Sequence, residues 1–136
     1  MCETNSSENL NHVIVQVRLP AKDINESVEW YERNFGFKHL WKTDQEADMK
    51  LEPGPFLFLK KAEPFTPLHI VAEGKPLALL SIKTSSIMEC HRRFVEAGEE
   101  VTEITNTWGI EQLFEFTIKD PAGNLIHVGN YPGLDD

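Results

Sequence analysis

Between residues 12 and 19 the chain reads HVIVQVRL, and its apolar residues alternate: Val13, Val15, Val17 and Leu19 on one face, His12, Ile14, Gln16 and Arg18 on the other. That pattern predicts a strand with one dry face and one mixed face. Asp23 and Glu26 follow at capping-box spacing, and Ile24, Val28, Tyr31 and Phe35 then recur at helical intervals until Gly36. A helix over residues 24–35 accounts for them. Three short strand-like pieces come next, near 37–43, 47–52 and 56–60, with Pro53 and Gly54 marking a tight turn between the last two. The first half therefore reads βαβββ.

Residues 61–76 carry Pro64, Pro67, Gly74 and Pro76 without a sustained period, which marks a connector with room for a short extended segment at 68–72. Beyond it the pattern restarts. LALLSIKT is strand-like, Ser86 and Glu89 repeat the capping-box spacing, and Ile87, Cys90, Phe94 and Ala97 form a helical stripe that stops at Gly98. Residues 101–105, 113–119 and 125–128 follow as strands, the second alternating Phe114, Phe116 and Ile118 against Glu115, Thr117 and Lys119. Two βαβββ modules thus form an internal repeat, residues 11–60 and 77–131, with tails at 1–10 and 132–136. A half of about 60 residues has too thin a core to stand alone, so the expected architecture is a single α+β domain, a curved mixed sheet around a cavity. A ferredoxin-like sandwich would leave two of these strands unplaced.

The chain has 136 residues and a formal charge of −9. That charge repels phosphate backbones and anionic lipid, which argues against nucleic-acid and membrane partners. Residues 1–9 are polar and lack the apolar core of a signal peptide, and no apolar run nears the roughly 20 residues that span a bilayer. A cytoplasmic location is expected. With only Cys2 and Cys90, neither a disulfide frame nor a thiolate metal site is indicated, and Cys90 reads as core.

Asn11-His12, then Ser27 through Trp30-Tyr31 to Phe35-Gly36-Phe37, resembles the opening of vicinal-oxygen-chelate proteins, the glyoxalase, bleomycin-resistance and extradiol-dioxygenase group. Asp120-Pro121-Ala122-Gly123-Asn124 followed by Leu125-Ile126-His127 is similar to their closing turn and last strand. The resemblance spans nearly everything from Asn11 to Tyr131. It implies a glyoxalase-like fold, a sheet-lined cavity, a homodimer that builds the cavity from both chains, and a divalent metal (zinc, nickel, iron or manganese) held by strand residues. His12 and His127 match ligand positions. Near Leu57 or Phe58, and near Leu77, where ligands are usual, this chain has carbon. A catalytic metal commonly takes three protein ligands, so a third must come from Gln16, Glu115 or His69, none at a matching position.

Two functions follow from the resemblance. The favoured one is a small-molecule-binding protein with a degenerate metal site and no certain cofactor, in which the two histidines are polar groups lining the cavity. Its ligand contacts would be Gln16, Phe58, Leu79, Trp108 and Leu125, with Ile14 beside them, Trp108 foremost because a loop tryptophan is free to meet a ligand or cover a seam. The alternative is a metal-dependent lyase or dioxygenase-type enzyme using His12 and His127. Phe35, Phe94 and Phe116 read as core, and His39 and His91 as solvated. No nucleophile stands beside a base in the sequence, and no glycine-rich phosphate loop is present.

Overall fold

The computed structural model describes residues 10–106 and 113–132. In the first module strand β1 (Gln16–Ala21) leads into helix α1 (Ile24–Phe35), then β2 (Lys38–Lys42), β3 (Glu46–Lys50) and β4 (Phe56–Lys61). These four strands form one sheet in the order β1-β4-β3-β2. β1 runs parallel to β4, which requires the α1 crossover, and β4, β3 and β2 form an antiparallel meander. Between modules, β5 (Ile70–Ala72) and β6 (Lys75–Leu77) make a small hairpin.

The second module repeats the plan with β7 (Leu80–Lys83), α2 (Ile87–Glu96), β8 (Glu115–Lys119) and β9 (Leu125–Gly129). Its sheet order is β7-β9-β8, with β7 parallel to β9 and β8 antiparallel to it. The expected strand at 101–105 is reduced to two bridges onto β8, Val101 to Ile118 and Thr105 to Glu115. The result is an α+β architecture of two modules, each with its own sheet, the first βαβββ and the second of the same plan with the strand after its helix reduced to bridges.

Each helix turns its stripe inward. Ile24, Val28, Trp30 and Tyr31 of α1 are buried, as are Ile87 and Phe94 of α2. The two helices meet through rings: Phe35 lies 5.5 Å from Phe94, which lies 6.1 Å from Phe116. Asp23 caps α1 by accepting from the Glu26 N–H at 3.0 Å, and Gly36 closes it at φ 81°, a left-handed conformation that suits glycine. The capping box expected for α2 does not form. The Ser86 side chain makes no cap hydrogen bond, and Glu89 instead binds Arg92 and Arg93.

The Asp120–Asn124 turn joins the modules as well as the strands. Asp120 Oδ1 accepts from the N–H groups of Ala122 and Asn124, and Oδ2 accepts from the Tyr31 hydroxyl at 2.6 Å and the Asn124 amide at 2.9 Å. Asn124 also donates to the Pro20 carbonyl and accepts from the Leu68 N–H. One turn of module two thereby fixes α1, the end of β1 and the connector.

Two of the histidines expected to be solvated are partnered. His39 Nδ1 lies 2.7 Å from Glu32, and His91 Nε2 donates to the Thr102 carbonyl at 2.8 Å with its ring edge-on to Phe116. His91 thus ties α2 to the bridging segment.

Candidate functional site

The first sheet packs one face on the core and leaves the other open, because its residues alternate about the pleat. Leu19, Ala47, Met49, Leu57 and Leu59 are buried. The opposite positions form cross-strand rows fixed by the register. Gln16 pairs with Phe56, which faces Lys50 and then Lys38. Arg18 pairs with Phe58, which faces Asp48 and then Trp41. In the last row Pro20 pairs with Lys60, which faces Glu46.

Aromatic rings lie at the centre of this face. The Trp41 and Phe58 centroids stand 6.2 Å apart, the Arg18 guanidinium lies 5.8 Å from the Phe58 centroid, and the Lys50 ammonium lies 4.5 Å from that of Phe56. Trp41 is 43% exposed although it is the largest apolar side chain of its strand. Lys60 and Glu46 pair at 2.9 Å. Asp48 Oδ1 is enclosed yet finds no donor among the described residues. A flat apolar floor edged by fixed charges is suited to holding a flat molecule.

The second sheet also has an open face, and it is polar. Ser81, His127 and Thr117 form one row across β7, β9 and β8. His127 Nε2 accepts from the Ala78 N–H at 3.3 Å, so Nδ1 carries the proton and donates to Thr117 Oγ1 at 2.9 Å. Both ring nitrogens are thereby engaged. Beside this row the Tyr131 hydroxyl donates to Glu115 at 2.6 Å, and burial, then the bond to Glu115, pushes that hydroxyl well above its ordinary range. Tyr131 closes over Gly129, where a Cβ would stand 2.8 Å from both the Phe114 carbonyl oxygen and the tyrosine ring. That cover explains why Glu115 is buried on a face that alternation assigns to solvent.

The sequence candidates divide between these surfaces. Gln16 and Phe58 share the open face of the first sheet, while Leu125 and His127 share that of the second. Leu79 precedes β7 and is 48% exposed. Trp108 lies outside the described residues. His12 belongs to an exposed segment ahead of β1 rather than to the strand, which begins only at Gln16, and Ile14 is exposed beside it. His69 is exposed in the connector, and Glu115 holds Tyr131.

Among the described residues no group of three or more His, Cys, Asp or Glu side chains is placed to hold a metal ion. With the His127 nitrogens engaged and His12 ahead of the strand, these donors do not fit a catalytic divalent metal. Alternation alone did not single out Arg18, Trp41 and Asp48. The usable signal was that the positions left off the core face carry charges in QVRLP and EADMK and rings in FLFLK and KHLWK.

An apolar cleft of about 240 Å³ also opens between the modules, lined by Val17, Leu57, Leu80 and Ile82 together with the turn at Pro53 to Pro55. It falls below the ~300 Å³ at which small-ligand pockets begin and offers few groups to orient a ligand.

A four-stranded open face and a three-stranded one, each backed by a crossover helix in a repeated βαβββ plan, define the class. The chain belongs to the Glyoxalase/Bleomycin resistance protein/Dioxygenase superfamily, whose family model matches residues 9–128. Its fold is similar to that of a possible glyoxalase from Bacillus cereus, with a TM-score of 0.70 and 20% identity over 85% of this chain and 96% of that one. It is likewise similar to a lactoylglutathione lyase from Agrobacterium tumefaciens (0.66, 19%, covering 89% and 95%). A third similar structure is the bleomycin-binding protein of bleomycin-producing Streptomyces verticillus, in complex with copper(II)-bleomycin (0.62, 16%, 88% and 97%). Among curated proteins none matches this chain at a significant level. No helix among the described residues is long and apolar enough to cross a membrane.

Proposed function

We propose that this protein is a binding protein that holds a flat small molecule against the open face of its first sheet, without a metal. The observation that carries the reading is the row Arg18, Phe58, Asp48, Trp41, in which the half-buried Phe58 ring lies between two charged groups and the exposed Trp41 ring ends the row. A ring left in water on a sheet face contributes nothing to the core, whereas a planar ligand laid on it removes apolar area from water at about 25 cal/mol per Å². The structure of the bleomycin-binding protein with copper(II)-bleomycin supports the reading, because there a similar fold holds a small molecule in another protein.

The reading includes a homodimer, because the face is open in a single chain and a second copy would wall it in. It also includes a cytoplasmic setting, with which a content of just two cysteines agrees.

Tryptophan-indole NMR tests it. Planar aromatic compounds should shift the Trp41 Nε1–H resonance, and Phe58→Leu should weaken the binding several-fold with the fold intact. Compounds that shift only other resonances, or none at all, would remove the reading. Stoichiometric zinc, nickel, iron or manganese in protein purified without chelator, lost in His127→Ala, would replace it with a metalloenzyme.

A further inference from the structure

We infer that the ligand of this face is an aromatic acid: a planar molecule with an anionic group at one end, set on Arg18, and an N–H or O–H donor at the other, set on Asp48. The inference rests on the binding reading and specifies its chemistry. Three observations support it.

The first is the sign of the face. In a chain of net charge −9, the open rows carry four cations, Arg18, Lys38, Lys50 and Lys60, against two carboxylates, Glu46 and Asp48. A positive balance on one face of an acidic protein favours an anion at that face.

The second is what those charges touch. Lys60 is neutralised by Glu46. Arg18 and Lys50 instead lie over Phe58 and Phe56, and neither has a carboxylate partner among the described residues. Their donors remain available, and a guanidinium in particular presents a planar fork that matches a carboxylate.

The third is Asp48. Its Oδ1 is enclosed without a donor among the described residues, between Phe58 on one neighbouring strand and Trp41 on the other. A carboxylate oxygen accepts and never donates, so a ligand group that meets the Asp48 carboxylate must bring a hydrogen. Arg18 and Asp48 are two strands apart, which sets about 10 Å between their backbones with the Phe58 ring midway. A fused two-ring system with substituents at opposite ends spans that interval. A simple anion does not, and an uncharged hydrocarbon leaves both ends unsatisfied.

Three fluorescent probes separate the terms: 6-hydroxy-2-naphthoate, its methyl ester, and 6-methoxy-2-naphthoate. The hydroxy acid should bind at least about tenfold more tightly than either of the others, as loss of a hydrogen bond to a charged group implies. Arg18→Gln should abolish its advantage over the ester, and Asp48→Ala its advantage over the methoxy acid. Arg18 is exposed, so Arg18→Gln should leave circular dichroism and the urea midpoint unchanged, and Asp48→Ala should leave circular dichroism unchanged with a midpoint no lower than wild type, since it removes an enclosed, unpaired oxygen. If the three probes bind alike and all weaken in Phe58→Leu, the aromatic face stands and the acid-and-donor assignment falls. If the hydroxy acid's advantage survives both substitutions, the assignment to Arg18 and Asp48 falls. If neither these probes nor neutral planar aromatics shift the Trp41 indole, the binding reading falls with it.

Discussion

Asn124 is completely buried, and its side chain satisfies the Leu68 N–H, the Pro20 carbonyl and Asp120 together. Asn124→Ala leaves those groups unpaired inside the protein, so a loss of about 3 kcal/mol is expected in urea unfolding. Tyr31, at the other end of the same cluster, gives a pH signature. Its hydroxyl is raised well above the ordinary 10.0, first by burial and then by the charge and hydrogen bond of Asp120. Below pH 10 the proton is held in folded and unfolded chains alike and the contribution is complete. Above it the unfolded chain ionises while the folded chain does not, so stability falls as pH rises, by about 1.4 kcal/mol per pH unit from this group. Tyr131, raised by burial and by Glu115, adds a slope of the same sign. Urea unfolding between pH 9 and 11 should show a shallower decline in Tyr31→Phe, and an unchanged decline would refute the assignment. These residues also show what single positions disclose. The DPxGN turn was legible as a turn because its residue types suit one, whereas its clasp on Tyr31 spans 89 positions of sequence and leaves no local mark. The face of Arg18, Asp48 and Trp41 was latent in the alternation, but only the register brings them into one row.

At the level of elements the two helices make a controlled contrast. Both begin at a cap residue followed three positions later by glutamate, yet only Asp23 accepts from the backbone, while Ser86 does not. Asp23→Ala should therefore cost about 1 kcal/mol, and Ser86→Ala close to nothing, in paired urea titrations. Equal losses would show that spacing alone sets the cap. The reciprocal half of the box is also missing at α2, where Arg92 and Arg93 hold the Glu89 carboxylate and the Ser86 N–H donates to Thr84 Oγ1 instead. Periodicity located both helices and their glycine stops because a buried stripe must recur every three to four residues wherever the helix docks. It placed the start of β1 four residues early, since Val13 and Val15 alternate as a strand would while remaining exposed. Strand pairing is decided by partners distant in sequence. For the same reason residues 101–105 read as a strand and make only two bridges.

The whole molecule carries apolar surface that a single chain does not cover. Val13, Ile14 and Val15 are 81%, 75% and 61% exposed, and they run directly into β1, the edge strand of its sheet. Ile70, Val71, Leu77 and Leu79 are also exposed, in the hairpin and in the approach to β7, the edge strand of the other sheet. An apolar segment continuing an unpaired edge is a template for another chain, and proteins that stay single blunt such edges with charge or proline. Here the residues are carbon on both edges, so the proposed homodimer would bury them by closing one copy on another about a two-fold axis. Sedimentation at micromolar concentration should give about twice the 15.5 kDa of the chain. Val13→Lys with Val15→Lys should shift the protein toward monomer, since two charges would then face each other across the seam. The same double variant should keep its circular dichroism and its unfolding cooperativity, because neither valine belongs to the core of the chain. It should also lose affinity for planar aromatic compounds if the second copy walls the open sheet face. A wild-type protein sedimenting only as a monomer would overturn the dimer, while a dimer that persists in the double variant would move its interface away from the β1 edge.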